Sequence, residues 1–174
     1  MEALLSSACR RPVTGRCRTA GRIVAMKAVV QRVKSASVHV DGKQISAIKE
    51  GLLCLIGVKA GDTAKDSEYI IRKILNTRIF HNPSNERPWD LNVMQKEYGV
   101  LLVSQFTLCG VMKGNKPDYH LAMPPREART FYAEFVSMVK EKYPNMVHDG
   151  EFGAMMDVGL INDGPVTMIF DSNS

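Results

Sequence analysis

The sequence predicts an α/β domain in which a largely antiparallel β-sheet carries two main helices. Short apolar or alternating stretches recur along the chain, the period-two signature of strands. Two other stretches, one after Asp62-Thr63 and one after Pro124-Pro125, place their apolar residues at helical spacing instead. From Met26 onward no repeat, low-complexity tract or linker divides the chain, so residues 26–174 read as a single domain. With 174 residues, 45% of them hydrophobic and 24% charged, the chain is long enough for one packed core.

The elements follow in order. KAVVQRVKSASVHV reads as a strand pair or one bent strand, and Asp41-Gly42 supplies a hairpin turn into KQISAI. GLLCLIGV, residues 51–58, is a continuous apolar run of strand length, suited to burial on both faces. Asp62 or Thr63 can cap a helix that buries Ile70, Ile71, Ile74 and Leu75. TRIF is a short strand, and HNPSNERPWDLN, which holds the lone Trp, is a polar, proline-punctuated loop. GVLLVSQF returns as a central strand and leads into the loop CGVMKGNKPDYH. Pro124 and Pro125 fit the first turn of a helix whose apolar stripe is Ala128, Phe131, Tyr132, Phe135, Val136 and Val139. MVHDGEF, AMMDVGLI and VTMIFDS alternate like strands, with NDGP turning between the last two. This makes seven or eight strands in all.

Charge narrows the function less than its total suggests. The formal net charge is +5, but residues 1–25 hold five Arg (10, 11, 16, 18 and 22) and one acid, Glu2, so the remaining body is nearly neutral. Net charge alone therefore does not predict nucleic-acid binding. The Arg- and Ser-rich, acid-poor first segment has the composition of an organellar transit peptide. It reads equally as a disordered tail or an upstream start ahead of a body beginning at Met26. The expected location is cytoplasmic, or mitochondrial or chloroplast if residues 1–25 act as a transit peptide. No apolar run approaches the roughly 20 residues needed to span a bilayer, so no membrane partner is expected. Cys9, Cys17, Cys54 and Cys109 form no CxxC pair, which fits a reducing compartment. His39, His81, His120 and His148 show no metal-ligand spacing, and neither GxGxxG nor GxxxxGK[ST] occurs. No metal or cofactor is expected.

Two polar clusters remain, Ser104, Gln105 and Thr107 in LLVSQFTLCG and the stretch NDGPVT at 162–167. Taken singly, the first reads as a strand end bonded to backbone and the second as an ordinary turn. A serine nucleophile on an elbow would need GxSxG, which VSQFT lacks. Thr107 as nucleophile needs a base, and the sequence puts none beside it. Cys109 with His120 and Asp118 mimics a thiol triad, but its neighbours match no familiar local signature. What is left is a site rich in hydrogen-bond donors and poor in bases. Such a site can stabilise an oxyanion and leave the nucleophile to water or to the substrate.

From MKAVVQRVKSASVHVDG to VTMIFDS the chain closely resembles the D-aminoacyl-tRNA deacylases. SQFT at 104–107 is similar to that family's SQxxT, and NDGPVT at 162–167 to its NxGPxT. GNKPDYHLAMP and GEFGAMM agree further, and RPWDLNV resembles the eukaryotic branch. The resemblance implies a barrel-like sheet in a deacylase-type fold. It also implies hydrolysis of D-aminoacyl-tRNA at its 3′ end and a homodimer with active sites at the subunit interface. Gly164-Pro165 would then be a cis peptide reaching into the partner's pocket. There it would reject L-residues by steric conflict while admitting glycine. The family's working model takes assistance from the 2′-OH of the terminal adenosine. On these residues, Gln105 and the Phe106 N–H would meet the carbonyl oxygen, with Ser104 and Thr107 lining the pocket. Asn162 and Thr167 would hold the Gly164-Pro165 turn, Arg32 would brace it, and Lys113 and Lys116 would meet RNA phosphate. Two rivals stay open: an esterase or amidase using Thr107 or Cys109, and a nucleic-acid-binding module without catalysis.

Overall fold

The computed structural model describes residues 25–173, so all but the last residue of the Arg-rich first segment lies outside the described residues. Within them, ten strands and two α-helices form an α/β domain around one curled six-stranded sheet. Five strands run in the order β10 (Asp157–Asp171), β1 (Lys27–Val40), β3 (Gly51–Gly57), β6 (Gly99–Ser104), β9 (Val147–Asp149). The sixth, β2 (Lys43–Ile48), pairs with the far half of β1 and folds over β6, where a side chain at Gly99 would strike Ile48. That fold-over gives the sheet its barrel-like, nearly closed form.

The strands around β1 are antiparallel, as expected, but β3–β6 and β6–β9 are parallel. Parallel neighbours need long crossovers, and the two helices are those crossovers. α1 (Ala64–Asn76) lies between β3 and β6, and α2 (Pro125–Lys142) between β6 and β9. Thr63 caps α1, as one of the two candidates. Asp66 closes a capping box by accepting from the Thr63 N–H and hydroxyl, both at 2.8 Å. Pro124 and Pro125 open α2, whose face Ala128, Tyr132, Phe135, Val136 and Val139 is buried, with Phe131 half-buried.

The sheet has a core on each face. β3 sends Leu52, Cys54 and Ile56 to the helices and Leu53 to the other side; β6 divides Val100 and Leu102 from Leu101 and Val103 in the same way. Each such Leu, Ile or Val contributes roughly 1.5–3 kcal/mol by leaving water. This explains why these two segments are apolar without alternation. β1 is one strand rather than two, and it changes faces midway. Ala28 and Val30 belong to the helix-side core, whereas Val33, Ala36 and Val38 belong to the other. The register shift between Val33 and Ser35, at Lys34, makes the exchange, because one extra residue reverses every later side chain.

Three further elements differ from the sequence reading. AMMDVGLI and VTMIFDS are not separate strands around a turn; residues 157–171 form the single strand β10, paired along β1. Between Val33↔Asn162 and Arg32↔Val166, residues Asp163, Gly164 and Pro165 have no partner on β1 and loop out. The loop around Trp89 contains a hairpin, β4 (Phe80–Asn82) with β5 (Arg87–Leu91), and CGVMKGNKPDYH another, β7 (Val111–Lys113) with β8 (Lys116–Asp118).

Candidate active site

β6 delivers Ser104 to the sheet edge opposite Ile56, and the Gln105 N–H continues the ladder to the Ile56 carbonyl at 2.7 Å. The chain then tightens into a 3₁₀ turn, Phe106–Cys109, which the Gln105 and Thr107 carbonyls close by accepting from Leu108 and Gly110 at 3.2 and 3.0 Å. This answers why an apolar strand ends in polar side chains: the sheet stops there, and Ser104, Gln105 and Phe106 line a cleft of about 420 Å³. Its other wall comes from the segment before α2 and from the helix itself, with Tyr119, Met123, Pro124, Pro125, Tyr132 and Phe152. Phe106 is 58% exposed and meets Tyr119 edge-on at 5.0 Å.

The cleft is mostly apolar, its polar side chains are Ser104, Gln105, Tyr119 and Tyr132, and it is poor in bases. Its lining includes no Asp, Glu, His, Lys or Arg. Burial pushes the Tyr132 hydroxyl far above the ordinary phenol range, so it stays neutral. Thr107 does not line the cleft; its hydroxyl oxygen accepts from Gln105 Nε2 at 2.5 Å, and an amide donor cannot activate it as a nucleophile. The thiol alternative also fails. Cys109 is buried, and burial, with the nearby Asp62 second, pushes its thiol up to about 11. His120 instead pairs with Asp118 at 2.9 Å, and Asp118 is held well below the carboxylate range by Lys113 and then by His120. Among the described residues, no group of three or more His, Cys, Asp or Glu is placed to hold a metal ion.

The second motif lies elsewhere on the same chain. The Gly164-Pro165 peptide is cis and sits in the looped-out part of β10. Arg32 braces it. Its Nε donates to the Asp163 carbonyl at 3.2 Å and pairs with the Asp163 carboxylate at 2.9 Å, while its Nη1 donates to the Ile79 carbonyl. Among the described residues no side-chain hydrogen bond from Asn162 or Thr167 holds the turn, so the brace is Arg32 rather than those two. Ser104 is level with Ile56, Ala28 and Phe170, whereas Arg32 and Val166 pair four residues along, two and three strands away respectively. At about 3.3 Å per residue and about 4.8 Å per strand, the two motifs lie roughly 20 Å apart across the sheet.

The two lysines flank the turn between β7 and β8. Lys113 is ion-paired with Asp118, which removes much of its value as a free phosphate contact, and Lys116 is exposed. Tyr119, Tyr132 and Phe152 form the cleft's aromatic wall without having been singled out as site residues. Tyr132 belongs to an apolar helical stripe, and no spacing in the sequence separates its core role from its place at the cleft.

A cleft of this kind suits a hydrolase that stabilises an oxyanion with fixed donors and takes its nucleophile from elsewhere. The comparisons with known proteins point to a family of hydrolases. The family model described as D-Tyr-tRNA(Tyr) deacylase matches residues 29–171. A D-aminoacyl-tRNA deacylase of Dictyostelium discoideum is 55% identical over 148 residues, covering 84% of this chain and 98% of that protein. D-aminoacyl-tRNA deacylase 1 of Homo sapiens is 52% identical, covering 84% and 70% respectively. A solved structure of a c-Myc DNA Unwinding Element Binding Protein is similar at TM-score 0.79 and 52% identity, covering 83% of this chain and 97% of that one. The chain belongs to the D-aminoacyl-tRNA deacylase family, a family of hydrolases, as its motifs implied.

Proposed function

We propose that the protein hydrolyses the ester bond of D-aminoacyl-tRNA, releasing free D-amino acid and tRNA, and so proofreads chirality in translation. The reading is carried by the family match together with the donor-rich strand end at Ser104, Gln105 and Phe106. Phe106 begins a 3₁₀ turn, so its N–H has no acceptor within that turn and is available to the ester carbonyl oxygen. Gln105 offers a second donor, with its carboxamide oriented by Thr107. Ser104 completes the polar rim. With no side-chain base in the lining, the proton from the attacking water goes to the substrate side, where the 2′-OH of the terminal adenosine assists.

The active unit in this reading is a homodimer. A path of roughly 20 Å along the sheet between the motifs speaks for two chains rather than one around a single ester. An edge strand that exposes Leu160, Ile161 and Ile169 along 15 residues also calls for a cover. Gly164-Pro165 of one subunit would enter the partner's cleft, flanked by Asn162 and Thr167. Gly164 has no side chain, so backbone carbonyls there can approach the substrate's α-amino group. With ammonium and ester fixed, a D-side chain leaves the site while an L-side chain strikes backbone. Glycine passes, and glycyl-tRNA is a substrate as well.

Nucleic-acid binding without catalysis is the second reading, drawn from the DNA-binding name of one solved relative. It leaves the cleft and its donors unused. Release of D-tyrosine from D-tyrosyl-tRNA, with L-tyrosyl-tRNA left intact, tests the proposal. Equal hydrolysis of both, or of neither, refutes it.

A further inference from the structure

Trp89 is the one tryptophan in the chain, and the fold does not use it as core. It is 55% exposed on β5 and adopts φ +59°, the left-handed region that a bulky residue rarely enters. Leaving a large aromatic ring in water and holding it in an unfavourable backbone conformation both cost stability, and among the described residues the Arg32 guanidinium is the one cation over the ring.

Arginines surround it. The Arg32 guanidinium lies 5.9 Å from the ring centroid, and Arg78 and Arg87, both exposed, flank the same hairpin around Asp90. The acids here are Asp163, which pairs with Arg32, Asp90, which accepts from Asn82 and Asn85 at 2.7 and 3.2 Å and keeps its charge, and Glu86 at the hairpin turn; among the described residues Arg78 and Arg87 form no ion pair of their own. An exposed aromatic face among arginines is the arrangement that binds unpaired nucleotides, by stacking on the ring and pairing with phosphate.

Position makes the occupant specific. Arg32 touches both Trp89 and the Asp163 carbonyl next to Gly164, so the ring stands on the order of 10 Å from the Gly164-Pro165 turn. That span corresponds to a few stacked nucleotides at roughly 3.4 Å each. We infer that Trp89 is a stacking platform for an unpaired nucleotide of the tRNA 3′ strand, just upstream of the terminal adenosine. Arg78 and Arg87 would meet the adjoining phosphates. The inference rests on the proposed deacylase function and its subunit exchange of Gly164-Pro165. Arg32 would then hold the chiral turn and the platform in one fixed relation.

Because there is a single tryptophan, its fluorescence reports this site directly. Titrating the full-length dimer with an RNA oligonucleotide ending in CCA should quench the emission saturably, and added salt should weaken the effect. Trp89→Ala should raise KM for D-tyrosyl-tRNA by about five- to 150-fold, the equivalent of roughly 1–3 kcal/mol per stacked base. Its loss on D-tyrosyl-adenosine, which lacks upstream nucleotides, should be smaller by that factor, and Trp89→Phe should recover most of the affinity. An absence of quenching, or equal losses on the two substrates, overturns the inference. Emission that follows protein concentration and ignores RNA also overturns it, placing a second copy of the chain over the ring. If wild-type protein hydrolyses neither substrate while RNA still quenches, the deacylase reading fails and the platform stands.

Discussion

Replacing Thr107 by Ala separates two mechanisms that the same cleft could host. If Thr107 formed an acyl-enzyme, its hydroxyl would be indispensable and the variant would lose nearly all activity. The geometry gives it a smaller task. Thr107 is exposed, lies outside the cleft lining, and accepts one hydrogen bond from Gln105 Nε2 at 2.5 Å. Removing that acceptor frees the Gln105 carboxamide to rotate. The cost is about 0.5–1.5 kcal/mol, a rate loss of up to roughly tenfold. Single-turnover hydrolysis of D-tyrosyl-tRNA by wild type and Thr107→Ala measures this directly. A 3′-aminoacylated tRNA lacking the terminal 2′-OH should be the far more damaging change. Full activity on that 2′-deoxy substrate, or an acyl group trapped on Thr107, would refute the reasoning.

Other outcomes follow from the same geometry. Gly164→Ala places a Cβ 3.1 Å from both Arg32 Nη2 and Val166 Cγ2 at φ +116°, so it should abolish deacylation. Mixing it with Gln105→Ala subunits should restore one working site per heterodimer, and no recovery after verified subunit exchange would place each site within one chain. Burial raises the Cys109 thiol to about 11, so the thiolate is scarce at pH 8; iodoacetamide should label Cys109 in unfolded protein and leave the native form nearly untouched, as peptide mapping would show. Deleting residues 1–24 should leave deacylation intact while abolishing any organelle import, and lost activity in a folded product would make the segment part of the substrate surface.

What could be read in the sequence and what could not divide along physical lines. Buried strands and helix stripes announce themselves because every residue in them answers to the core, as GLLCLIG and the Ile70, Ile71, Ile74, Leu75 set show. The unity of β10 did not show. Asn-Asp-Gly-Pro has the composition of a turn, and only the pairing of both flanks with the same strand makes it an outward loop within one strand. The Trp89 hairpin was hidden for a related reason, since its ladder rests on only two pairings, Phe80↔Leu91 and Asn82↔Arg87, in a stretch that shows no alternation. Elimination and the family motifs pointed to Ser104, Gln105 and Phe106, which line the cleft. The Cys109 alternative was settled only by burial, which spacing does not encode.

Lys34 shows how a strand can carry information that has nothing to do with its side chain. The residue is exposed, and its presence shifts β1 from one core to the other. Almost any amino acid should serve at that position, because what matters is that a residue is counted there. Deleting it would turn Ala36 and Val38 toward the wrong face, while substituting it would pass nearly unnoticed. An interface or a core is usually described by what its residues are. This one is also set by how many there are, so insertions and deletions in β1 should be far more damaging than substitutions at the same site.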